Sequence, residues 1–110
     1  MPRPRTYSPY TLRATKLLGA QIRQARLERR WSSRELAERA GITRPTLHNI
    51  EAGEPTVGLG IAFECAALLG VPLFRDDPDR LSIDAEITRE RLAVLGQRVR
   101  RPAREVNDDF

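Results

Sequence analysis

Apolar residues between Ser8 and Leu95 recur at three- and four-residue intervals, the spacing of helices that bury one side, and polar or glycine-bearing breaks divide them into short segments. Ser8 followed by Pro9 is a helix start, a cap with proline at the first helical position, and Leu18, Ile22 and Ala25 carry the pattern toward Arg30. This predicts an unusually long first helix. A second helix begins at Ser32, whose hydroxyl can cap it while Glu35 reaches back to the cap's own N–H as a capping box. Trp31 can pack on Leu36 as a hydrophobic staple. Leu36, Ala37 and Ala40 share one face, and Gly41 stands where a helix ends in a left-handed residue. Ile42 and Thr43 repeat the staple and cap, with Leu47 as the staple partner, and Leu47 and Ile50 mark the buried side of a third helix. After Gly53, residues Ile61, Cys65, Leu68 and Leu69 predict a fourth helix that stops at Gly70, with apolar Val71 and Leu73 beyond. Gly58 and Gly60 would each cost about 1 kcal/mol inside it, so its start is expected near them. The acidic run DDPD at 76–79 is a boundary, after which Ile83, Ile87, Val94 and Leu95 predict an amphipathic helix to about Leu95.

The expected fold is therefore all-α, a four- to five-helix bundle with flexible tails. Residues 1–7 form a flexible basic arm, 8–74 the main domain, 75–96 an acidic linker and helix, and 97–110 a tail. The 75–96 helix is a candidate dimerisation surface, or it packs back on the bundle.

The third helix has a second, outward side. With Leu47 and Ile50 buried, Arg44, Pro45, Thr46, His48 and Asn49 face solvent, and these side chains suit a DNA duplex. Arg44, near the helix start, can donate two hydrogen bonds to the O6 and N7 of guanine, and Asn49 can make the paired contact to adenine, each worth about 1–3 kcal/mol of discrimination. Thr46 and His48 can touch a base edge or a phosphate. Ser33, Arg34 and Thr43 lie at two helix starts, where N–H groups and the helix dipole favour phosphate; they would set position more than sequence. Pro45 is tolerable because it lies in the first turn, where its missing N–H has no helical partner to lose.

Charge sharpens this picture. The net charge of +4 conceals an asymmetry: residues 1–44 hold eleven basic and three acidic side chains, a balance of +8, residues 45–90 hold three and nine, a balance of −6, and residues 91–110 hold five and three, a balance of +2. A basic face raises association rates and binds phosphate through counterion release. Arg3 and Arg5 on the arm can reach a neighbouring minor groove, or belong to a tail without a partner. Eighteen of the nineteen basic residues are arginine, a bias that points partly to genomic composition.

Other classes of function find little footing. Cys65 is alone, so one chain builds neither a disulfide framework nor a multi-cysteine metal site, and a small buried apolar role in a reducing compartment is expected. A single histidine cannot make a zinc site without several partners. No apolar run nears the ~20 residues that span a bilayer, and the amino terminus shows no hydrophobic signal region, so a cytoplasmic, nucleoid-associated protein is expected. There is no glycine-rich phosphate loop, no nucleophile with a base at a recognisable spacing and no suggestive carboxylate pair, so neither catalysis nor a cofactor is expected.

From about Leu18 to Phe74 the chain resembles the Xre/Cro family of helix-turn-helix DNA-binding proteins. The resemblance is carried by Arg26, Leu36-Ala37, Gly41-Ile42, and Glu51 with Gly53, all at the family's spacing. It implies a lambda-repressor-like bundle, an Arg26–Glu51 ion pair bracing helix one on helix three, DNA contacts at Ser33, Arg44, Pro45 and Asn49, and backbone contacts around 52–54. A carboxylate at Glu54, where many relatives carry a basic residue, would repel phosphate and set this loop further from the duplex.

The tail from 97 alternates sign, Arg98, Arg100, Arg101 and Arg104 preceding Asp108, Asp109 and Phe110, and is either a docking segment or a solvated end. Domain, acidic linker, helix and tail together look like HipB-type antitoxins. That resemblance implies a homodimer that represses its own operon and holds a HipA-like kinase toxin inactive. A free-standing Xre-family regulator, or a protein-inhibiting interaction module without specific DNA binding, are the competing readings.

Overall fold

The computed structural model describes residues 5–74 and 77–100, and the side chains of the latter stretch as far as Arg98. It is all-α among the described residues, with α1 Pro9–Glu28, α2 Ser33–Ala40, α3 Arg44–Ala52, α4 Leu59–Leu68 and α5 Pro78–Arg100. The chain divides at Leu73/Phe74 into two units; α1 to α4 belong to the first and α5 to the second. Arg3, the acidic Asp76 of the boundary run and the tail from 101 onward lie outside the described residues.

Each helix of the first unit begins and ends where local chemistry dictates. The Ser8, Ser32 and Thr43 hydroxyls accept the N–H of Thr11, Glu35 and Thr46, satisfying one of the orphan donors at each helix start. Gly58 precedes α4 with no side-chain cap, so α4 starts between the two glycines that the chain offers there. The ends share one device. Gly41, Gly53 and Gly70 take left-handed backbone with φ of 73°, 82° and 72°. The following N–H then reaches back across the last turn: Ile42 to the Ala37 carbonyl, Glu54 to that of Asn49, and Val71 to that of Ala66. α1 ends the same way without a glycine, Arg30 standing at φ 60° while Trp31 N–H donates to the Arg26 carbonyl.

Two local expectations are corrected. Glu35 does not complete a capping box: its carboxylate accepts from Arg39 at 3.1 Å, because an arginine one turn onward offers a charged donor where the Ser32 N–H offers a neutral one. The last helix also runs past Leu95 to Arg100, so residues 97–100 of the expected tail are helical. After Leu95 the residues GQRVR lack the apolar spacing that would mark a helix, but only one is glycine and none is proline, so nothing ends it.

The core of the first unit gathers Ile22 of α1, Leu36 and Ala37 of α2, Leu47 and Ile50 of α3, and Ala62, Cys65, Ala66 and Leu69 from and just after α4. Trp31, Ile42 and Leu18 pack around it. Burial pushes the Cys65 thiol up to about 11, with smaller contributions from the Glu51 and Glu64 carboxylates. α1 packs on α3, and α2 on α3 and α4. The α1–α3 crossing depends on Gly19: a Cβ there would fall on the Ile50 carbonyl oxygen and lie 2.7 Å from that of Glu51. Gly53 meets the backbone of Lys16 in the same way. Two glycines thus let α1 lie directly against the end of α3, a closeness that pattern reading misses, since a glycine amid helical residues registers there only as a cost.

Candidate nucleic-acid interface

The site is the outward side of α3 together with the elements beside it. At about 100° per residue, Arg44, His48, Ala52, Pro45 and Asn49 fall on one arc while Leu47 and Ile50 fall opposite. The structure agrees: those five are exposed and the two apolar residues are buried. Thr46 sits at the edge of the arc and is half-buried. Its hydroxyl accepts from that of Thr43 at 2.9 Å, and its N–H is held by the same cap, so this side chain is engaged in starting the helix instead of reaching outward.

What holds α3 in place is the ion pair beneath it. Arg26 of α1 donates through Nε to one Glu51 oxygen at 2.7 Å and through Nη2 to the other at 3.0 Å, and its Nη1 donates to the Trp31 carbonyl at 2.9 Å. Both side chains are only 9% exposed. The hydrogen bonds that Arg26 donates to Glu51 raise its guanidinium above the usual value against the opposing effect of burial. One arginine therefore ties α1, the α1–α2 turn and the last turn of α3 together.

A groove of about 620 Å³ opens over this pair. Arg23 and Arg26 of α1, Ser33 at the start of α2, and Arg44, Pro45 and His48 of α3 line it, with Leu47, Glu51 and Ala52. Since Arg26 is neutralised by Glu51, the positive potential at the rim comes from Arg23 and Arg44, which have no ion-pair partner among the described residues. Arg23 was not singled out by the sequence reading. Its signal was available, as it stands one helical turn before Arg26 and so shares its side of α1, but Arg13 and Lys16 fall on that side as well and nothing in the sequence marks which of them borders the outward arc of α3.

The other described candidates are not among the residues that line the groove. Asn49 is exposed on the far edge of the α3 arc, and Thr43 caps α3. Arg34 pairs with Glu38 at 3.3 Å, both largely exposed, an interaction too weak to keep the guanidinium from a phosphate. Arg5 lies over the Tyr7 ring at 5.8 Å. The backbone at 53–54 is poorly suited to the contacts implied for it: Gly53 and Glu54 N–H already donate to the Ile50 and Asn49 carbonyls as the α3 cap, and the Glu54 carboxylate is exposed beside them.

Among the described residues no helix is long and apolar enough to cross a membrane, and no group of three or more His, Cys, Asp or Glu side chains gathers as a metal site would need. Neither curated proteins nor solved structures give a match to this chain. Residues 22–75 match the Helix-turn-helix family model, a span that takes in the end of α1 from Ile22, the α2–turn–α3 unit and all of α4. With α2 and α3 joined through Gly41, braced by Arg26 and presenting α3 to solvent, residues 22–75 are built as a helix-turn-helix domain and are similar to the Helix-turn-helix family.

Proposed function

We propose that this protein is a sequence-specific transcriptional repressor that binds operator DNA as a homodimer. The observation that carries the reading is the outward arc of α3, where an arginine at the first helical position, unpaired among the described residues, stands beside a groove holding a second unpaired arginine. Arg44 and Asn49 read base edges from the major groove, with Pro45 and His48 alongside, while Ser33, Arg34, Thr43 and Arg23 meet phosphates. Two such helices would enter successive major grooves about 34–36 Å apart on a palindromic site, and repression follows from occlusion.

A gel-shift titration with the protein's own promoter region tests this. Arg44→Ala should weaken operator binding by about 1–3 kcal/mol and leave nonspecific binding nearly intact, whereas Arg23→Ala should weaken binding to all sequences alike and lower the salt dependence. Equal loss on both kinds of DNA for Arg44→Ala would remove it as a base reader.

We propose further that the repressor is the antitoxin of a HipBA-type operon and holds a HipA-like kinase toxin. Support for this is the order of domain, acidic linker, helix and tail in the sequence. Co-purification with a kinase encoded beside it is the expected result, and its absence favours a free-standing regulator. If the promoter gives no sequence-specific shift at any salt concentration, the remaining reading is a protein-inhibiting module, for which the capped, acidic loop at 53–54 is the supporting feature.

A further inference from the structure

Among the described residues of the second unit, one face of α5 is left without a cover. Leu81, Ala85, Thr88, Leu92 and Leu95 follow one another at intervals of four, three, four and three, the spacing of a coiled-coil seam, and Leu81, Leu92 and Leu95 are 47%, 62% and 49% exposed. Along this seam lies a groove of about 480 Å³ lined by Phe74, Leu81, Ala85, Thr88 and Leu92, with the charged Asp84 and Arg89. The one polar group on the line is satisfied within its own helix, the Thr88 hydroxyl donating to the Asp84 carbonyl at 2.8 Å, so its methyl is what the seam presents. A second apolar line on α5, Ile83, Ile87 and Val94, is broken by Glu90 where the next contact would fall.

We infer that α5 pairs with α5 of a second copy of this chain as a parallel two-stranded coiled coil along Leu81, Ala85, Thr88, Leu92 and Leu95. Charge selects both the occupant and its direction. Asp84 and Arg89 flank the seam on opposite sides, five residues apart, the offset at which flanking residues of two parallel strands meet; within its own helix Asp84 lies 4.0 Å from Arg80 and Arg89 pairs with Glu86, exposed contacts that a partner strand would have to share or replace. Each Asp84 then faces Arg89 of the other copy, twice per dimer. Antiparallel pairing about the same seam would instead set Arg89 against Arg89 and Arg91 against Arg91 of the two copies. The helix is 23 residues, about three heptads, so association is reversible and depends on concentration. This deepens the homodimer part of the proposed function, and it stands or falls independently of whether the dimer binds DNA.

The experiment is sedimentation equilibrium of the full chain from about 1 µM to about 100 µM, with circular dichroism to verify that each variant is folded. The wild type should pass from monomer to dimer over this range. Leu92→Glu should raise the dissociation constant by about a hundredfold, while Val94→Glu on the other side of α5 should change it less than about threefold. Asp84→Arg and Arg89→Glu should each weaken self-association, and an equimolar mixture of the two variants should regain it, since every flanking pair is then of opposite sign. A wild type that stays monomeric, or a folded Leu92→Glu variant that dimerises as the wild type does, would overturn the seam; failure of the mixture to recover would overturn the parallel arrangement. A dimer that binds no operator would leave this inference standing and sink the repressor reading instead.

Discussion

Arg26 and Glu51 stake the position of α3 on two buried charges. Removing one partner leaves the other uncompensated in the interior, so Glu51→Ala should cost about 3–5 kcal/mol, read as a loss in chemical-denaturation stability with Trp31 as the fluorescent reporter. Trp31 suits that purpose because it is the only tryptophan, packs on the core and lies under the Arg39 guanidinium at 4.2 Å. Cys65 makes a different prediction. Its folded pKa of about 11 stands above the ordinary 9.0, so the thiol keeps its proton in the folded state at pH values where the unfolded chain has lost it. Its contribution to stability is thus complete below pH 9 and declines as pH rises toward 11. Cys65→Ala should lack that component, so the difference in melting temperature between variant and wild type should shrink as pH rises from 8 to 11.

At the scale of the element, the four helix ends of the first unit separate two costs that are usually mixed. Gly41 has a left-handed backbone and open space around the absent Cβ, so Gly41→Ala should cost about 1–2 kcal/mol from backbone strain alone. Gly53 has the same backbone with Lys16 against it, so Gly53→Ala should cost more than Gly41→Ala in the same denaturation assay. Arg30 reverses the test: a residue with a side chain already sits at φ 60°, and Arg30→Gly should stabilise the fold by about 1 kcal/mol. Caps and stops of this kind were legible because they are made within a few residues. The Ser32 and Thr43 caps, the turn at Gly41 and the start of α4 at the glycine pair all stand where spacing placed them. The misreadings are also local. Glu35 had two donors within reach and took the charged one, and the end of α5 carried no stop for a pattern to find.

For the whole molecule, the division at Leu73/Phe74 predicts separable behaviour. The unit that ends at Leu73 holds a complete core of α1 to α4, and a fragment of residues 1–73 should unfold cooperatively without α5, as followed by Trp31 fluorescence. On the proposed dimeric reading that fragment should still bind operator DNA, but more weakly, because two half-sites are no longer engaged together. The +8 balance of residues 1–44 adds that affinity of the full chain should fall steeply as salt is raised.

Residue order alone determined which segments are helices, where three of the four in the first unit are capped, and which side of α3 faces outward, since caps and amphipathic spacing act over three or four residues. Only the tertiary structure decided what that outward side borders. It seats Glu51 and the Arg26 guanidinium together across 25 residues of chain, brings Arg23 to the rim beside Arg44, and draws α1 onto α3 at Gly19. Such contacts join positions whose separation along the chain carries no period, and they exist only once packing has brought the helices together.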